Sequence, residues 1–220
     1  RVRAMNGEFS GGTAASLGAT MASLKKKPEL FEVLANPFAL SNGFVGPDQP
    51  RDHKPVFDEK LETWVAPFFM APINTKNVHR SNMLMDHMYG EDFCYNEMWI
   101  QGPGEEGKAA AEFVGKTNPL ADAPEPGEGP SRESRENGNY DVLFCADLDD
   151  GSEVHASVVG DLDPGYGSTS KMIAESAICL VKECSDLKGG IYTPAPSMGE
   201  KLIARLEANA GLTFKIEKNA

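Results

Sequence analysis

Residues 160–206 read GDLDPGYGSTSKMIAESAICLVKECSDLKGGIYTPAPSMGEKLIARL, and this stretch decides the fold. It reads as a strand end, a Gly/Pro turn, a long amphipathic helix, a double-glycine strand and a second helix. Those elements make a packed α/β unit. In the turn, Gly165 and Gly167 can take positive φ, or let a ligand or another backbone come close. Ser168 or Thr169 is placed to cap the helix that follows, leaving backbone N–H groups aimed outward. The same chemistry also serves an ordinary strand-to-helix connection.

Outward from there, a hairpin precedes the turn. Tyr140, Val142, Phe144, Ala146 and Leu148 alternate, Asp149-Asp150-Gly151 turns, and residues 153–161 return. The second helix runs over about 197–208, and a last alternating strand over 212–216. At the other end, residues 2–9 read as a short strand. Ser10-Gly11-Gly12-Thr13 is a tight turn, residues 14–27 form a small-residue helix, and Pro28 opens a second, short helix that Asn36-Pro37 ends. Residues 41–55 are loop. Residues 64–88 read as largely helical, with Pro67 and Pro72 as starts or a kink. Residues 92–100 read as an aromatic strand. Residues 102–138, rich in Gly, Pro, Glu and Ala, read as a mobile connection with a short helix at 108–114. The expected class is α+β, with a mixed or largely antiparallel sheet and helices packed on one face.

The 220 residues, 40% of them hydrophobic, suffice for one sizeable core with room for a subdomain. A formal net charge of −12 argues against nucleic acid, which needs clustered Lys and Arg. The one basic run, Lys25-Lys26-Lys27, sits at a helix end and complements its dipole. No apolar run approaches the roughly 18 residues that span a bilayer. Cys94, Cys145, Cys179 and Cys184 form no CxxC pair and read as reduced thiols of an intracellular, cytoplasmic protein. His53, His79, His87 and His155 lack ligand spacing, so no metal is expected.

Four places carry candidate chemistry. Gly102-Pro103-Gly104-Glu105-Glu106-Gly107 matches GxGxxG, but Pro103 removes a donor and two glutamates oppose a pyrophosphate. The glycines of the Ser10–Thr13 turn, with the Thr13 hydroxyl, form a better anion cradle; the alternative there is tight strand–helix packing. Asn74, Lys76, His79 and Arg80 cluster on or beside one helix, where Arg80 could hold a carboxylate or carbonyl oxygen; the alternative is a solvated basic face. Tyr166 beside Asp163 offers a phenol for proton donation or stacking, or a packing aromatic.

Long segments then carry a resemblance. Besides the opening stretch, they are GEFSGGTAAS (7–16), WVAPFFMAPINTKNVHRS (64–81), YGEDFCYNE (89–97) and PGEGPSRESRENG (126–138). In this order they resemble the C-terminal part of the saccharopine dehydrogenase-like oxidoreductases, which include the trans-acting enoyl reductases of lipid synthesis. The resemblance implies that residues 1–220 are a substrate-binding and dimerisation domain. The N-terminal Rossmann domain, which would bind most of the NAD(P), is expected to lie outside this sequence, and the chain alone is expected to bind no cofactor. On this reading Gly12, Thr13, Asn74, Arg80, Asp163 and Tyr166 contact a small or lipid-like substrate, and Tyr166 and Arg80 act in catalysis. A homodimer is also implied. The rival reading is a non-catalytic interaction domain that dimerises or associates with membranes or lipid droplets.

Overall fold

The computed structural model describes residues 1–50 and 52–219. Its elements, in chain order, are β1 (Val2–Asn6), α1 (Gly11–Lys26), α2 (Leu30–Ala35), β2 (Val56–Asp58), β3 (Thr63–Pro67), α3 (Ala71–Leu84) and β4 (Met98–Gly102). They continue with α4 (Gly104–Lys116), α5 (Arg132–Asn137), β5 (Asn139–Asp147), β6 (Glu153–Gly160), α6 (Gly167–Glu183), α7 (Pro194–Asn209) and β7 (Leu212–Asn219). The chain divides into two compact units, residues 1–9 with 129–220 and residues 10–128. The class is α+β, as expected.

In the first unit the strands run β1-β5-β6-β7, each antiparallel to its neighbour. The expected hairpin is present, in register from Tyr140 opposite Gly160 to Asp147 opposite Glu153. Its turn works because Gly151 takes φ 84° and the Asp150 carboxylate accepts the Ser152 N–H at 2.9 Å. Helices α6 and α7 cover one face. Cys179, Met198, Leu202, Leu206 and Leu212 form the core there, with Val158 and Phe214 packed against it. Arg205 of α7 ties the helices together by reaching Glu175 at 2.6 Å and Glu183 at 2.7 Å on α6. Gly160 is required because the Tyr140 ring fills the place of its Cβ, and the Tyr140 hydroxyl meets that of Ser168 at 2.8 Å. The outer edge of β7 is blunted. Glu207 accepts the Phe214 N–H at 3.2 Å.

Three expectations are corrected in this unit. No strand forms at Gly189-Gly190; that segment runs as turn and coil into α7. Helix α7 begins at Pro194 and is broken at Gly199, with φ 49° and ψ −132°. The N-cap position of α6 is Tyr166, without a side-chain cap bond, and neither Ser168 nor Thr169 caps it; the Asp163 carboxylate accepts the N–H of the first helical residue, Gly167.

Across the first unit's sheet, Arg3 bridges Asp141 at 2.8 Å and Glu217 at 2.7 Å. The guanidinium's hydrogen bond, with further help from Ser157, holds the Glu217 carboxyl down from 4.5 to about 2. A carboxyl whose folded pKa is depressed contributes stability above its unfolded pKa and loses it as pH falls through the folded one. The contribution of this pair is therefore expected to be full above about pH 5 and to fade toward pH 2. Urea titrations of Glu217→Gln and the parent should differ at pH 6 and converge toward pH 2; an equal gap at both ends would refute the linkage.

In the second unit β2, β3 and β4 form an antiparallel ribbon. Helix α4 packs on β3 and β4, with Ala111 and the β3 residues Val65 and Ala66 wholly buried. Trp64 carries Lys108 over its ring at 5.6 Å. The expected helix over 64–88 is corrected: residues 63–67 are strand, and helix begins only at Ala71. Both sides of Val65-Ala66 are covered, so this strand shows a continuous apolar run without alternation, and periodicity does not separate such a run from buried helix. The strand expected over 92–100 is likewise shorter. Residues 92–97 are irregular, held by the Gln49 amide, which accepts from Tyr95 N–H at 3.0 Å and donates to Phe93 O at 3.3 Å.

The stretch expected as a mobile connection, 102–138, contains the thirteen-residue α4 and the six-residue α5. Helix α4 is nearly twice the length read from sequence, because its small-residue face packs on the ribbon. Limited proteolysis is therefore expected to cut first within 118–130, which lies between the helices and buries little apolar surface. First cleavage inside α4 would contradict this packing.

Candidate functional site

The expected site residues fall in both units. Gly12, Thr13, Asn74 and Arg80 belong to the second, Asp163 and Tyr166 to the first.

The turn at Asp163 is built around its own carboxylate. Asp163 is fully buried and accepts N–H bonds from Gly165 at 2.9 Å, Tyr166 at 2.9 Å and Gly167 at 2.6 Å. Asp163 therefore closes the turn that leads into α6, and of the helix's own N–H groups it takes that of Gly167. Ser168 turns inward to Tyr140, and the Thr169 hydroxyl donates to Pro164 O at 2.7 Å. Gly165 and Gly167 do not take positive φ. They supply space: a Cβ on Gly167 would stand 2.7 Å from Asp163 Oδ1 and 2.9 Å from Arg135 O. Tyr166 is half exposed at the mouth of this turn.

The Ser10–Thr13 turn is the first turn of α1 itself. Ser10 is its cap, its Oγ accepting Thr13 N–H at 3.3 Å. Gly11 is buried under Glu125, and its N–H donates to Glu128 O at 3.1 Å. Gly12 and Thr13 are exposed. Tight packing thus uses the first glycine, and only the second faces solvent.

The turn from β4 into α4 has the backbone shape that its GxGxxG pattern suggests, with Gly102 at φ 110° and Gly104 at φ 66°. The Gly102 carbonyl fills the Cβ place of Gly107, whose N–H donates to Pro103 O at 3.2 Å. Glu105 and Glu106 occupy the first turn of the helix. These residues do not suit a pyrophosphate: Pro103 has no N–H to give, and the two glutamates make the local charge the wrong sign.

Around α3 the arrangement is richer. Asn74 donates to Glu97 Oε2 at 2.9 Å, and the Tyr95 phenol donates to Glu97 Oε1 at 2.8 Å. Glu97 N–H donates to Asp52 Oδ2 at 3.3 Å. Glu97 is only 8% exposed, and burial pushes its carboxyl above the ordinary glutamate value. His79 is buried between Phe38 and Phe93, with its Nε2 3.0 Å from Gln49 Oε1, and burial lowers its pKa. Arg80 donates to Leu40 O at 2.7 Å, so it ties α3 to the segment after α2. Lys76 donates to Pro72 O at 2.6 Å, and burial lowers its pKa too.

Of these, Phe38, Gln49, Asp52, Lys76 and Tyr95 line a cavity of about 480 Å³. One side is apolar, with Leu34, Phe38 and Val45; the other is polar, with Asp52, Lys76 and Tyr95. An apolar wall facing a few placed polar groups is the usual form of a small-molecule site. Of the second unit's residues expected from sequence, neither Asn74 nor Arg80 lines this cavity: Asn74 is bonded to Glu97, and Arg80 holds the segment after α2. Sequence reasoning does not single out Tyr95, Glu97, Asp52 or Gln49. The one available signal is an acid, Glu97, inside the aromatic segment YGEDFCYNE.

A comparison with curated proteins gives relatives along the whole chain. The chain is similar to trans-acting enoyl reductases. A Mycobacterium tuberculosis protein named "Putative trans-acting enoyl reductase Rv2449c" is 33% identical over 248 aligned residues, covering 100% of this chain and 59% of that protein. The trans-acting enoyl reductase of Mycobacterium ulcerans is 30% identical over 229 residues, covering 90% of this chain and 54% of that protein. That of Mycobacterium bovis is 29% identical over 225 residues, with the same coverage. The chain thus spans somewhat more than half the length of these relatives. No family model matches it, and no solved structure matches it. No helix among the described residues is long and apolar enough to cross a membrane, and no cluster of His, Cys, Asp or Glu among them could hold a metal ion.

Proposed function

We propose that this chain is the substrate-side part of an enoyl-reductase-like oxidoreductase that uses a nicotinamide cofactor. The single observation that carries the reading is similarity along the full chain to proteins named trans-acting enoyl reductase. The cavity beside α3 supports it, since an apolar wall suits an acyl chain and the polar side suits the reacting end. The cofactor's phosphates are held elsewhere on this reading, because the Gly102–Gly107 turn opposes them. Thr13, Arg80 and Tyr166 rest on the resemblance alone, and none of them lines this cavity. Asn74 acts through Glu97, and Asp163 acts only by shaping the turn that carries Tyr166.

The test is reduction of an α,β-unsaturated acyl thioester by the protein containing this chain, with NADH and NADPH offered separately. Nicotinamide oxidation that depends on the thioester, with a saturated product by mass spectrometry, is the expected result. No turnover with either nicotinamide across short and long enoyl thioesters would refute the reading.

A further inference from the structure

Among the described residues, Lys76 is the one cation on the cavity wall. It is half buried, and its hydrogen-bond partner is a single backbone carbonyl, Pro72 O at 2.6 Å. An ammonium has three N–H donors, so two remain for a ligand or for water. A partly desolvated charge is costly unless other groups solvate it, and burial lowers the pKa of this one.

Two neighbouring donor groups, the Gln49 amide and the Tyr95 phenol, are committed elsewhere. The Gln49 amide donates to Pro47 O at 3.0 Å and Phe93 O at 3.3 Å, and its oxygen accepts from Tyr95 N–H. The Tyr95 phenol donates to Glu97. Asp48 and Asp52 also line the cavity, and their carboxylates disfavour an anionic ligand there. A neutral acceptor is therefore what Lys76 fits best: a carbonyl oxygen whose remaining atoms lie along Leu34, Phe38 and Val45.

We infer that Lys76 anchors the carbonyl oxygen of an acyl thioester bound in this cavity, its acyl chain along the apolar wall. This rests on the enoyl-reductase-like reading for the ligand class, and it adds the residue that orients the ligand. A cation at this oxygen also stabilises the negative charge that develops there whenever the neighbouring carbons become electron-rich.

The test compares two ligands on this chain by calorimetry at constant salt: octanoyl-N-acetylcysteamine thioester, and the thioether of equal length that lacks the carbonyl. The parent chain should prefer the thioester by about tenfold, the value of one charge-assisted hydrogen bond. Lys76→Met should erase the preference while leaving thioether affinity unchanged, which a merely structural lysine would not do. Lys76→Arg, keeping a donor and the charge, should retain part of it. A parent chain without preference, a preference that survives Lys76→Met, or failure to bind either ligand would each overturn the inference. The enoyl thioester reduction assay decides the enzymatic reading separately, so the two can fail independently.

Discussion

Replacing Asp163 with alanine is expected to destabilise the chain by about 3–5 kcal/mol, the largest effect expected of any single side chain in this protein. The carboxylate is fully buried and accepts three backbone N–H bonds, from Gly165, Tyr166 and Gly167. Removing it leaves three donors without an acceptor at the start of α6, and opens a void where Gly138 and Gly167 pack against it. Asp163→Asn keeps one accepting oxygen and is expected to cost roughly half as much. Urea unfolding followed by circular dichroism gives both values. A loss below about 1 kcal/mol for Asp163→Ala would mean that the turn is held by its glycines and by Pro164, and that Asp163 is available to a ligand.

The second large effect concerns the GxGxxG turn. Gly107→Ala is expected to cost on the order of 3 kcal/mol, because its Cβ would enter the Gly102 carbonyl and push α4 off β4. Gly104→Ala meets open space and is penalised only for its positive φ, about 1 kcal/mol. A packing role therefore predicts unequal stability losses, read by thermal unfolding, and no dependence of either loss on added NADH or NADPH. Equal losses, or protection of the parent by a nicotinamide that either substitution abolishes, would restore the dinucleotide reading of this turn.

Both cases show where local sequence stops being sufficient. Strand alternation, Asp-Gly turns and helix periodicity are properties of neighbouring residues. The hairpin of β5 and β6, the long amphipathic α6, the helix after Ser10 and, among the described residues, the loop over 41–50 and 52–55 are therefore legible in the residues themselves. The acidic first turn of α4 is legible too. The limits of α4 are not, because its last turns are set by packing of Ala111 on the ribbon.

What the tertiary structure alone decided was which polar groups meet. Beside Tyr166, Asp163 has the look of a ligand contact in sequence, and only the closed turn shows its oxygens occupied. Residues 63–67 look helical in sequence, because burial on both faces removes the alternation that marks a strand. The cavity draws on α2, the segment around Asp52, the start of α3 and Tyr95, and Glu97 becomes a buried carboxyl only when Asn74 and Tyr95 close over it. The sequence by itself determined the local elements, the anionic surface and the resemblance to trans-acting enoyl reductases. The site was decided by contacts between residues far apart in the chain, whose energies depend on burial and on partners that no local pattern encodes.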